Sequence, residues 1–109
     1  MLPSGMVLTV AFKEIVQARV RRDPAFAQAL LREGVNCLLG GDVETGKAVL
    51  RDFINATVGF AGLSAATGTP AKSLMRMFGP SGNPSARNLF AVIAVLQRES
   101  GVALEVRAA

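Results

Sequence analysis

GFAGLSAATGTPAKSLMRMFGPSGNP, residues 59–84, reads as two short helices joined by a tight turn with a loop behind them. Ala and Leu carry the first helix from Gly59 to Thr67, and Gly68 stops it, because glycine enters the left-handed region without a Cβ penalty. The second restarts within about three residues, the spacing of a helix-turn-helix. Thr69 offers a hydroxyl for the N-cap, and Pro70 suits the first helical position, where a missing N–H removes no intrahelical bond. On a wheel of about 100° per residue, Leu74 and Phe78 share one face of this helix, flanked by Met77 and Ala71, while Lys72, Ser73 and Arg76 lie opposite. Such a helix docks through one face and offers two cations and a hydroxyl on the other, which suits a phosphate-lined groove; a plain solvated face has the same pattern.

The distribution of charge separates these readings better than its total of +4. Up to Val58 the chain is nearly balanced, with seven basic and six acidic residues. After Asp52 no carboxylate appears until Glu99, and the interval holds Lys72, Arg76, Arg87 and Arg98. A carboxylate beside a groove repels phosphate and offsets a neighbouring lysine, so an acid-free interval over the helix-turn-helix favours nucleic acid as the partner.

Composition bounds the remaining possibilities. A chain of 109 residues, half of them hydrophobic, supports one domain with a real core. Its longest apolar run, Leu89 to Leu96, falls far short of the roughly 20 residues of a membrane span. The beginning MLPSGMVLTV lacks the basic start and apolar core of a secretory signal, so a cytoplasmic protein is expected. Cys37 is the single cysteine and there is no histidine, which excludes an internal disulfide and argues against a metal site. The expected place of Cys37 is the core. No carboxylate pair, nucleophile-base set or glycine-rich phosphate loop presents itself, so neither catalytic residues nor a cofactor are expected.

Taken in order, residues 1–11 read as a flexible N-terminal extension, with Pro3 and Gly5 opposing regular structure and Met6 to Val10 as a short run that suits an extended strand. Phe12, Ile15, Val16, Arg19 and Val20 follow a helical period that closes on Arg19, Arg21 and Arg22, cations well placed at a helix C-terminus. Asp23-Pro24 starts a second helix through Phe26, Leu30, Leu31, Val35, Leu38 and Leu39, and Gly40-Gly41 ends it. Asp42 starts a third, with Val43, Lys47, Leu50, Phe53, Ile54 and Thr57 at helical spacing. Gly34 and Gly46 inside these helices each cost about 1 kcal/mol against alanine. Residues 12–41 thus form N-terminal helices, and 42–109 the helix-turn-helix portion with a C-terminal tail, all in one compact unit.

Ser85 caps a final helix to about Ser100, apolar on nearly every side, which implies burial inside the domain and against another subunit. Beyond Gly101, Val102, Leu104 and Val106 alternate with Ala103, Glu105 and Arg107, a period-two signal for a short strand. Its partner is Met6 to Val10, the same strand of a twin, or another protein. The expected fold is all-α, with five to six helices and a possible short C-terminal strand.

Assembled, the chain resembles the small bacterial addiction-module antidotes and transcriptional regulators of the HigA type, whose DNA-binding part is lambda-repressor-like. The resemblance rests on FKEIVQARVRRDPAFAQALLREG, DVETGKAVLRDFINATVGF and the segment from Thr67 through KSLMRMFGPSGNP to Leu89, and covers nearly everything from Met6 onward. It implies that the helix after the Gly turn is a recognition helix, with Ala71, Lys72, Met75 and Arg76 toward base edges and Ser73 beside them. Ser81, Gly82, Asn83, Ser85 and Arg87 are implied near the sugar-phosphate backbone. Thr69-Pro70 stands where many relatives have a serine, and Ala71 where a longer polar side chain is common, so specificity falls mainly on Lys72, Met75 and Arg76. The function implied is a homodimeric repressor on a palindromic operator in double-stranded DNA. The alternative is an antitoxin covering a toxin protein through Phe12 to Leu39 or through Val102 to Arg107, and regulating its own operon.

Overall fold

A computed structural model describes the backbone of residues 4–109 and the side chains of residues 13–109. The described residues form six helices: α1 Ser4–Arg22, α2 Pro24–Leu39, α3 Val43–Ala56, α4 Gly59–Thr67, α5 Ala71–Met77 and α6 Ala86–Ser100. The all-α expectation is met, with no strand among the described residues. Two expectations are corrected. Met6 to Val10 continues α1 instead of forming a strand, since a five-residue apolar run fits either period and the helix C-terminal to it extends through it. Val102 to Arg107 follows α6 without a ladder. The reading of residues 1–3 and of the Phe12 side chain lies outside the described residues.

Side-chain oxygens start three of the helices. Asp23 accepts from the Phe26 N–H at 3.2 Å, Asp42 from Thr45 at 3.3 Å and Ser85 from Asn88 at 3.2 Å. Each satisfies one of the donors that a helix start leaves free. At the end of α1, Arg19 pairs with Asp23 at 3.6 Å and lies over the Phe26 ring, 4.5 Å from its centroid. That arginine fastens the α1–α2 corner, in keeping with a structural origin for the basic cluster.

One core joins all six helices: Val20, Leu31, Leu50, Phe53, Ile54, Leu63, Leu74, Phe78, Val92 and Leu96 are buried together. Helices α2 and α3 approach closely because Gly34 and Gly46 face each other's helix. A Cβ on Gly46 would stand 2.7 Å from Leu38 Cδ2 and 3.0 Å from the Gly34 oxygen. The propensity cost of these glycines thus has a packing reason. Cys37, expected in the core, is only partly buried on α2, its thiol 3.6 Å from Glu33 Oε1; it occupies the helix flank, and the closely packed face belongs to Gly34 and Leu38.

Candidate nucleic-acid interface

Gly68 ends α4 in the left-handed region at φ 76°, with its N–H donating to the Ser64 oxygen at 2.9 Å. The turn to α5 spans Gly68 to Pro70. Thr69 does not cap α5: Pro70 takes the cap position at ψ 141°, its carbonyl accepts from the Leu74 N–H, and no side-chain cap bond forms. The hydroxyl of this turn that does bond is Thr67 Oγ1, donating to the Leu63 oxygen and accepting from the Thr69 N–H. With its ψ extended, the proline closes the turn instead of opening the helix, and that leaves threonine one residue too early.

The two helices are locked through their inner faces. Leu63 and Leu74 are fully buried, and the Phe60 and Phe78 rings pack at 6.5 Å between centroids with a 57° tilt. Because Leu74 and Phe78 point inward, Lys72, Met75 and Arg76 point out, Met75 with half its surface exposed. Lys72, Arg76 and Arg87 have no ion-pair partner among the described residues. Ala71, in contrast, packs against the core, so its methyl is turned away from this face.

The loop returns beside the same helix. Ser73, Arg76, Met77, Ser81, Gly82 and Asn83 line a shallow cavity of about 350 Å³. Arg87 is exposed in the first turn of α6, next to Ser85, whose hydroxyl oxygen already accepts from Asn88. Of the residues the sequence singled out, the fold therefore gathers Ser73, Arg76, Ser81 and Asn83 around one depression. Lys72 and Met75 lie along the adjoining outer face of α5, and Ser85 and Arg87 at the start of α6.

Lys47 is the residue that sequence reasoning passed over. Its side chain is buried, and its ammonium donates to the carbonyl oxygens of Gly79 at 3.0 Å and Gly82 at 2.7 Å. Glu44 Oε2 lies 2.9 Å from the same nitrogen. Arg51, one turn further along α3, reaches the Phe78 oxygen at 3.5 Å. Two cations of α3 thus hold the carbonyl-rich end of α5 and the loop after it, where the helix dipole favours positive charge. A visible sign was present: Lys47 shares its helical spacing with Leu50 and Ile54, an inward position for a cation. The fold also brings Glu44 close to a loop that is free of acids in sequence.

No protein-family model, curated protein or solved structure matches the chain. Among the described residues no helix is long and apolar enough to cross a membrane.

Proposed function

We propose that the protein is a sequence-specific DNA-binding transcription regulator that works through α4 and α5. The observation carrying this reading is the outer face of α5. Lys72, Met75 and Arg76 project from a helix whose inner face is anchored by Leu74 and Phe78, in a segment without carboxylates, beside a loop rich in small polar residues. Lys72 and Arg76 are long enough to reach phosphates or the acceptor edges of guanine in the major groove, and Met75 supplies an apolar surface for a thymine methyl. Main-chain groups and hydroxyls of the loop give the positioning bonds that carry no sequence information. The HigA-type resemblance supports the same use of the helix. A homodimer would read two half-sites about 34 Å apart along the duplex.

The test is a binding selection on random duplexes, followed by titration of the enriched site at physiological salt. A palindromic consensus is expected. Lys72→Ala together with Arg76→Ala should weaken binding by about 1–3 kcal/mol for each base-edge bond that the truncation removes. Failure to enrich any site, or an unchanged affinity in the double variant, overturns the assignment.

A further inference from the structure

The domain carries a second surface, between α2, α6 and the tail after Gly101. A cleft of about 700 Å³ lies there, with Arg32, Val35, Leu39, Phe90, Gln97 and Leu104 among its lining. Leu39 is 61% exposed, Phe90 64% and Val106, also on the cleft, 79%. Exposed large apolar side chains gathered on one cleft mark a docking surface more often than scattered ones do. Helix α6 thus buries Val92, Ile93, Val95 and Leu96 within the domain and leaves Phe90 outside.

The tail itself indicates the occupant. Its backbone is tied to α6 at two points: Val102 N–H donates to the Gln97 carbonyl at 3.0 Å and Leu104 N–H to Gln97 Oε1 at 2.8 Å. In strand form successive residues turn their backbone groups to opposite edges. With Leu104 turned toward Gln97, the open edge carries the N–H and C=O groups of Ala103, Glu105 and Arg107. Side chains follow the sequence alternation, with Val102 and Leu104 packed toward the core and Glu105 and Arg107 largely exposed, paired only with each other across solvent at 3.4 Å.

We propose that this tail pairs antiparallel with the same segment of a second copy of the chain, centred on Val106. In that register Glu105 stands opposite the partner's Arg107 and Arg107 opposite the partner's Glu105. The two hydrogen-bonded pairs then fall on the residues whose backbone groups are open, and Val106 meets its twin in a non-hydrogen-bonded pair. The charge pattern is self-complementary in this register: a slip of two residues sets Glu105 against the partner's Glu105 or Arg107 against the partner's Arg107. A two-stranded pairing alone is marginal, and Leu39 and Phe90 supply apolar area beside it. This inference goes beyond the nucleic-acid reading and does not need it, since the surface shares no residue with α5 or its loop.

Sedimentation equilibrium of the full chain tests the pairing. Wild type is expected at twice its 11.4 kDa mass at high micromolar concentration. Glu105→Arg and Arg107→Glu alone, each placing like charges opposite one another twice, should weaken the dimer about tenfold, and the two together should restore it. These side chains are solvent-exposed, and far-ultraviolet circular dichroism on each variant verifies that the helices persist. In a Cys37→Ser background, Val106→Cys should form an intermolecular disulfide on oxidation, because the opposed Cα atoms lie about 4.5 Å apart in such a pair. Ala103→Cys, six residues out of register with its twin, should not. A monomeric wild type, single reversals that dimerise like wild type, or equal cross-linking at both positions overturns the proposal. A monomer that binds DNA defeats this pairing alone, and a dimer that binds none defeats the DNA reading alone.

Discussion

Lys47 Nζ lies 2.7 Å from the carbonyl oxygen of Gly82, a bond between the middle of α3 and the loop behind α5 that spans 35 residues of sequence. With the second bond to Gly79 and the nearby Glu44, the ammonium has three oxygen partners while its stem lies among Leu50 and Ile54 on the inner face of α3. A buried ammonium is retained only where its donors are matched, and here the acceptors are those of a helix end and the turn after it.

Removing that donor is expected to be costly. Lys47→Met keeps most of the volume but strands the Gly79 and Gly82 carbonyls. At about 1–3 kcal/mol for each acceptor left unsatisfied, stability should fall by about 2–6 kcal/mol. Urea denaturation measures this. A loss under about 1 kcal/mol would mean that water replaces the ammonium freely and that the lysine does not organise the loop.

Gly82 sits against the backbone at the end of α5. A Cβ there would collide with the Arg76 and Met77 carbonyl oxygens and stand 2.7 Å from the Met77 carbonyl carbon, none of which a rotamer change can move. Gly82→Ala should therefore displace the loop and destabilise by about 1–3 kcal/mol. Amide shifts confined to α5 and the loop, together with a lower denaturation midpoint, are the expected signature; an unchanged midpoint contradicts it.

These two positions mark where the sequence stops being legible. Asp23, Asp42, Ser85 and Gly68 act on donors and acceptors within a few residues, so helix starts and stops could be read from local chemistry. The inner and outer faces of α5 followed from Leu74 and Phe78 in the same way. By contrast, the acceptors of Lys47 lie 32 and 35 residues away, and no periodicity announces them. Period-two alternation after Gly101 likewise records which side chains face inward but carries no information on whether a ladder forms. Thr69 misled because cap preference is shared by two neighbouring hydroxyls, and only the backbone angles of Pro70 decide which one bonds.

Gly46→Ala sets propensity against packing. Alanine gains about 1 kcal/mol in a helix interior, and overpacking costs about 1–3 kcal/mol. The new methyl meets Leu38, which can yield, and the Gly34 carbonyl at 3.0 Å, which belongs to a helix backbone. A net loss of about 1 kcal/mol is expected by thermal or urea denaturation. A net gain would show that α2 and α3 separate easily.

Cys37 should be a sluggish nucleophile. Its thiol is pushed above the ordinary value of 9.0 by burial, by the neighbouring Glu33 carboxylate and more weakly by Asp42. A raised pKa leaves less thiolate at neutral pH, so alkylation near pH 8 should be slower than for a free thiol and should reach half its maximal rate at higher pH. Glu33→Gln should speed it. A rate at pH 8 equal to that of a simple thiol would contradict the influence of Glu33.

Folding carries one carboxylate, that of Glu44, to the candidate DNA face. Glu44 is two-thirds exposed, and its oxygen lies 2.9 Å from Lys47, beside the loop that α5 shares with Ser81 and Asn83. Because the carboxylate end is solvent-screened and the buried ammonium keeps two carbonyl partners, the pair contributes only about 1 kcal/mol to stability. Its charge also opposes any phosphate drawn to the loop, with a reach of about 8–10 Å at ordinary ionic strength. Glu44→Gln keeps an oxygen for Lys47 and removes the charge. The variant should therefore fold with nearly wild-type stability and bind the selected duplex several-fold more tightly at low salt, with the gain shrinking as salt rises. Fluorescence anisotropy across a salt series measures both. An affinity equal to or below wild type at low salt would mean that the duplex does not approach the loop held by Lys47, and would confine DNA binding to the outer face of α5.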